Sequence, residues 1–184
     1  MNLFCFGLGY SAETLFDQHG LAFASISGTV RTLAKAERLQ ERGVDAIVFA
    51  GGTVGPLVAS ALQGADCLLV SAAPDEAGDP MLRQLGFELR AATRLRTIIY
   101  LSTVGVYGDH GGAWIDETAE LKPTSERGRR RVTAEASWLA FGRERGIKVQ
   151  IHRLAGIYGP GRSAIDDLRA GTARRIIKEG QVFN

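Results

Sequence analysis

Asn2-Leu3-Phe4-Cys5-Phe6, running directly into Gly7-Leu8-Gly9-Tyr10-Ser11-Ala12, is the stretch that decides how this chain folds. Residues 3–6 are uninterruptedly apolar, too few for a helix and closed by glycine, which predicts a strand buried on both faces. Residues 11–19 then take up a helical pattern, with Gly20 placed to stop it. The unit is strand, glycine turn, helix.

Outward from it, the unit recurs. Strands are expected at 22–27, 44–49, 66–72, 97–101 and 147–152. Helices are expected at 33–42, with Thr32 as N-cap and Gly43 beyond the end, and at 56–63 before Gly64. Asp79-Pro80 opens another that runs to about Arg94. A long loop rich in Gly and Asp spans 108–123, and a long helix over 124–145 carries Val132, Ala136, Leu139 and Ala140 on one stripe. The tail over 165–178 reads as helical. Apolar strands alternating with helices predict an α/β fold, a doubly wound parallel sheet with helices on both faces. The leading strand order is 3-2-1-4-5-6, in one domain over 1–184.

Gly7-Leu8-Gly9-Tyr10-Ser11-Ala12 fits G-x-G-x-x-A, a weak pattern alone. Here it leaves a strand and opens a helix, the context that a dinucleotide needs. Gly7 permits the tight turn, Gly9 lets a pyrophosphate reach the backbone, and Ala12 lets helix and strand pack closely. The free N–H groups at the helix start, at Tyr10 and Ser11, point at the anion. At the end of the second strand, an acid would grip the ribose hydroxyls of NAD. This chain has Gly28-Thr29-Val30-Arg31-Thr32 and no acid before Glu37. Arg31 can instead fork onto a 2′-phosphate, with Thr29 or Thr32 adding a hydroxyl, so NADP(H) is expected over NAD(H).

Two further segments carry a resemblance. Leu101-Ser102-Thr103-Val104-Gly105-Val106-Tyr107-Gly108 and Arg153-Leu154-Ala155-Gly156-Ile157-Tyr158-Gly159-Pro160-Gly161, with the glycine turn, resemble the short-chain dehydrogenase/reductase superfamily. The likeness is to its extended, atypical group of epimerase/dehydratase type. It implies a Rossmann fold and a nicotinamide cofactor. Ser71, Ala72 and Ala73 after the fourth strand, and Leu154, Ala155 and Gly156 after the sixth, then join the cofactor site. It also implies a C-terminal substrate lobe, absent or truncated in this chain, which stops at Asn184. A small-molecule substrate follows, phosphorylated or nucleotide-linked, and so does a homodimer formed through the helix over 124–145, with the bulk of Trp138 and Phe141 offered in support.

The departures are as informative. With Glu135 as anchor, the family's Tyr-x-x-x-Lys pair falls on Arg127 and Arg131, and no tyrosine lies between Gly108 and Ile157. Arginine does not release its proton near neutrality, so it cannot stand in for the phenol. The dehydratase Asp-Glu positions are Val104 and Gly105. The remaining candidates are Ser102 and Thr103, which either hold a substrate oxygen or satisfy local backbone. Tyr107 either reacts or packs in its turn. Asp109, His110, Asp116 and Glu117 lie on the following loop. The basic run Arg127-Gly128-Arg129-Arg130-Arg131 has three readings: a solvated helix face, a nucleic-acid patch, or Arg127 and Arg131 turned into the cleft to meet a substrate anion. The function expected is an NAD(P)-dependent oxidoreductase or epimerase-like reaction; the alternative is a non-catalytic NADP(H) sensor.

Composition sets the limits. In 184 residues, 45% are hydrophobic and 23% charged, which excludes disorder and fibrous classes. Residues 1–92 hold 6 Lys/Arg against 10 Asp/Glu, and residues 93–184 hold 16 against 10, so the second half is the side suited to an anion. Lacking aromatic residues between its arginines, the basic run gives no reason to expect nucleic acid. The apolar start is too short for a signal or a membrane span. Cys5 and Cys67 each sit in an apolar run and read as reduced core thiols of a cytoplasmic protein. His19, His110 and His152 stand singly, so no metal site is expected.

Overall fold

Leu3, Phe4, Cys5 and Phe6 are all buried, as a strand covered on both faces requires. The computed structural model describes residues 1–174. Its strands are β1 (Asn2–Phe6), β2 (Ser25–Val30), β3 (Asp45–Val48), β4 (Cys67–Val70), β5 (Thr97–Thr103) and β6 (Lys148–Leu154). Its helices are α1 (Tyr10–His19), α2 (Leu33–Gln40), α3 (Pro56–Gly64), α4 (Pro80–Ala91), α5 (Glu126–Arg145) and α6 (Ala164–Arg169). The sheet is parallel in every pairing and ordered β3-β2-β1-β4-β5-β6, as the alternation predicts.

Alternation along each strand builds two cores. Leu3, Cys5, Ile26, Ala46 and Leu69 pack beneath Ala12 of α1 and Ala36 and Leu39 of α2. Phe4, Phe6, Leu68, Val70, Ile98 and Tyr100 face α3, α4 and α5 on the other side. Both cysteines are free and buried, and burial pushes the Cys5 thiol up to about 12. Among the described residues no helix is long and apolar enough to cross a membrane.

Several elements depart from the sequence expectations. β2 begins at Ser25 rather than residue 22, because Gly20–Ala22 winds a 3-10 turn closed by Phe23 N–H on Gly20 O at 3.1 Å. Gly28 is therefore inside the strand, where a Cβ would stand 2.5 Å from the Cys5 carbonyl oxygen. β5 and β6 each run two residues further than expected, so Ser102, Thr103, Arg153 and Leu154 are strand residues. The buried face of α5 is Gly128, Arg131, Ala134, Glu135, Trp138, Phe141 and Gly142, not the stripe of Val132, Ala136, Leu139 and Ala140. Trp138 and Phe141 are core, packed edge to face with centroids 6.0 Å apart, and offer nothing to a partner chain. The tail is helical only over Ala164–Arg169 among the described residues; 175–178 and the terminal 180–184 lie outside them.

Candidate cofactor cleft and the strand-five site

Strands, helices and turns converge on one cleft of about 710 Å³ at the carboxyl ends of β1 to β4. In a parallel doubly wound sheet this is where the chain order reverses, and a crevice opens there. Gly7 lies on its floor with φ +93°, a conformation that glycine adopts without strain. Its peptide is held from both sides. Thr29 Oγ1 accepts the Gly7 N–H at 2.9 Å, and Ser71 Oγ donates to the Gly7 carbonyl. Leu8 N–H continues onto Thr29 O at 2.8 Å. Gly9 caps α1 without a side chain, and a Cβ built on it meets nothing within 4 Å. Open space at a helix start, beside free N–H groups, is a cradle for an anion.

Arg31, Thr32 and Lys35 line the β2 end of the cleft. Arg31 is exposed and makes no hydrogen bond or ion pair among the described residues. Thr32 stands at the N-cap of α2 but its hydroxyl makes no capping bond, so it is left for a ligand. Ser71, Ala72 and Ala73 form the opposite wall with Asp75 and Gln84. Asp75 is the acid of this cleft. Arg83 grips it with two bonds of 2.8 Å, and that contact, with the Ala77 N–H, pulls its carboxyl down to about 2.

The remaining expected cofactor residues stand elsewhere. Ala12 is buried under α1, packing helix on sheet. Ser11 is half-buried on the same helix. Tyr10 is not part of the cleft lining: its hydroxyl donates to Pro160 O at 3.4 Å and Arg162 stacks over its ring at 5.4 Å. It pins the turn after β6. Leu154 is half-buried, and Ala155 and Gly156 are exposed on that crossover, outside the cleft lining. Lys35, Asp75 and Gln84 are absent from the sequence expectations. Lys35 had a signal, one helical turn beyond Arg31; the other two come from the β4–α4 side, which no local pattern ties to the glycine turn.

A second constellation sits at the end of β5. Ser102 is buried and its hydroxyl donates to Glu135 Oε1. Glu135 is paired with Arg153, Nη2 to Oε2 at 2.9 Å, and Arg153 Nη1 donates to Tyr107 Oη at 2.9 Å while its guanidinium lies 4.9 Å from the ring centroid. Arg153 also reaches the Glu117 carbonyl at 3.2 Å, which ties the 108–123 loop to this network. Thr103 accepts the Gly105 N–H at 3.2 Å, so its own O–H remains a donor. On the loop, Asp109 and Asp116 close local turns on Gly111 and Thr118, and His110 meets Glu120 O.

The basic run is divided. Arg129 and Arg130 pair with Glu126, and Arg130 also with Glu76. Arg127 is exposed with no partner among the described residues. Arg131 is 7% exposed; Nη1 donates to Leu101 O at 2.6 Å and to Tyr100 Oη at 3.1 Å, while its Nε finds no acceptor. Asp79, the N-cap of α4, interacts with the buried Trp138 indole of α5, and that contact, with the Leu82 and Met81 N–H groups, partly offsets the burial that pushes the Asp79 carboxyl up. Burial pushes the Tyr100 phenol up to about 12, against the opposing pull of Arg131. Among the described residues no three His, Cys, Asp or Glu side chains form a metal cluster.

The sequence profile of the NAD dependent epimerase/dehydratase family matches residues 36–182. The chain is similar to a functionally unknown conserved protein from Silicibacter pomeroyi DSS at 43% identity and a TM-score of 0.83, over 99% of this chain and 62% of that one. It is similar to UDP-glucuronic acid 4-epimerase from Bacillus cereus in complex with NAD at 19% identity and TM-score 0.69, over 91% and 62% of the two chains. A short-chain dehydrogenase/reductase superfamily protein from Agrobacterium tumefaciens with bound NAD gives 16%, 0.60, 83% and 48%. The last two likenesses are of fold. The chain thus spans about 62% of the length of the first two of these structures. No curated protein matches it.

Proposed function

The chain belongs to the NAD dependent epimerase/dehydratase family, and from this we propose that it binds a nicotinamide dinucleotide in the cleft above Gly7 and Gly9. The open space over Gly9 and the fixed Gly7 turn suit a pyrophosphate. Relatives of the same fold hold NAD. When bound, the nicotinamide gives or takes a hydride at a carbon bearing a hydroxyl or carbonyl. Thr103 keeps an O–H for the substrate oxygen, and Ser102, turned onto Glu135, holds the end of β5 in place. Arg127 supplies an unpaired cation for a phosphorylated or nucleotide-linked substrate. The reaction class is oxidoreduction or epimerisation of a small molecule, in the cytoplasm, where the two buried thiols stay reduced.

NADP(H) is the preferred cofactor, and Arg31 is the observation that carries this. It stands free at the β2 end of the cleft, and Asp75, the only acid of the cleft among the described residues, is occupied by Arg83. One charge-assisted contact contributes on the order of 1.5–3 kcal/mol, roughly a 10- to 150-fold preference. Titrating NADPH and NADH against wild type and Arg31→Ala gives four affinities. Arg31→Ala is expected to lose that factor for NADPH alone; equal affinities in the wild type would remove the assignment.

A second reading is a nucleotide sensor without turnover. It is favoured by the engagement of Ser102 with Glu135 and by the burial of Arg131 where the family keeps its lysine. Single-turnover oxidation of bound NADPH with a panel of carbonyl compounds separates the two. We also propose self-association through the outer face of α5, where Ala136, Leu139 and Ala140 are exposed.

A further inference from the structure

We propose that Lys35 is the second cation of the 2′-phosphate site and that Glu13 holds it there. The inference rests on the NADP(H) reading above and deepens it. Lys35 is the third residue of α2, one turn beyond Arg31, and both line the same end of the cleft. Its ammonium lies 2.9 Å from Glu13 Oε1, with side-chain exposures of 33% and 17%. An ammonium carries three donors, so this contact leaves two for a phosphate.

Glu13 does not neutralise its surroundings. The same carboxylate receives Arg38 Nη2 at 2.9 Å and Arg42 Nη1 at 3.4 Å, and Arg42 also meets Asp17. Two acids therefore stand against Lys35, Arg38, Arg42 and the unpaired Arg31. Arg31 and Lys35 further sit at the start of α2, where the helix dipole disfavours cations. A dianionic phosphate between them relieves both conflicts. Burial pushes the Glu13 carboxyl up, and the bonds from Lys35 and Arg38 outweigh it and hold it below the usual range, so it is a carboxylate at neutral pH. Glu13 lies on α1, the helix whose start forms the cradle over Gly9. One acid thus sets the position of Lys35 relative to the pyrophosphate site.

The test uses adenosine 2′,5′-bisphosphate and adenosine 5′-monophosphate as probes, titrated by calorimetry, with circular dichroism to show that each variant folds. Lys35→Met is expected to weaken the bisphosphate about tenfold and leave the monophosphate unchanged. Lys35→Arg is expected to keep most of the affinity. Glu13→Gln breaks the same ion pair but leaves the ammonium, so its loss is smaller than that of Lys35→Met. If Lys35→Met leaves the bisphosphate unchanged while Arg31→Ala weakens it, the inference fails and the NADP(H) reading stands. If Glu13→Gln and Lys35→Met lose equally, Lys35 only ties α2 to α1, and the inference is overturned. If wild type does not distinguish the probes, both fall.

Discussion

Arg153 meets one oxygen of Glu135 with two nitrogens at once: Nη2 lies 2.9 Å and Nε 3.2 Å from Oε2. The pair joins β6 to α5, and the side chain of Glu135 is only 3% exposed. A charge so enclosed is tolerated only while its partner stays, so the pair matters more for what its loss leaves behind than for its own attraction.

Arg153→Ala is accordingly expected to cost on the order of 3 kcal/mol, the lower end for breaking a buried pair, because Ser102 still donates to Glu135. In a chain of this size that lowers the melting midpoint by roughly 6–12 °C. Adding Glu135→Gln to Arg153→Ala removes the stranded charge and recovers part of the loss. Thermal melts of Arg153→Ala, Glu135→Gln and the double variant decide; strictly additive losses would show that the two side chains act independently.

Gly9→Val is expected to abolish nucleotide binding and leave folding intact. The new side chain points where nothing lies within 4 Å, so it strains no neighbour and fills only the space that the phosphate needs. Fluorescence titration with NADPH beside a thermal melt reads both halves; unchanged affinity is the result that sinks the cradle.

Asp75→Asn tests the wall of the cleft through pH. The folded carboxyl is held at about 2 by Arg83, below its ordinary 3.8. A depressed carboxyl stabilises the fold above its unfolded value, and the gain is lost as pH falls through the folded one. Wild type is therefore expected to exceed Asp75→Asn in stability at neutral pH, the gap closing as pH falls from about 4 toward 2. A gap that stays constant over that range contradicts the ion pair.

Leu139→Glu addresses self-association. Leu139 is 38% exposed on the outer face of α5, so the change leaves the core untouched. Sedimentation velocity at high micromolar concentration is expected to show a dimer in wild type and a monomer in the variant. A monomeric wild type removes the proposal.

The sequence made the fold legible where neighbouring residues decide it. β1, the glycine turn and the strand order follow from apolar runs, glycines and right-handed crossovers. β2 was displaced because Gly28 reads locally as a turn signal, while it is there for the closeness of Cys5 on β1, a contact between strands. The inner face of α5 was hidden by its own chemistry. Beside Ala134, Trp138 and Phe141 it carries Arg131, Glu135 and two glycines, and the partners that let those charges lie inside, Tyr100, Ser102 and Arg153, are 18 to 33 residues away. Gly142 is small there because a Cβ would run into Val149, which no helical periodicity records. The cleft lining was readable at Arg31 and unreadable at Asp75 for the same reason.

The two hydroxyls that grip the Gly7 peptide, Thr29 from β2 and Ser71 beyond β4, have a consequence for timing. They fix the turn when the sheet assembles, so the entropy of ordering it is lost during folding and not at the encounter with a ligand. Association is then governed by diffusion and charge, with no slow rearrangement to wait for. The same arrangement makes the readiness of the cleft depend on Thr29 and Ser71 through the peptide they hold, apart from any contact they make with a ligand. Loosening Thr29 lowers the fraction of molecules that are ready to bind, and the apparent dissociation constant rises by that fraction while the intrinsic one stays put.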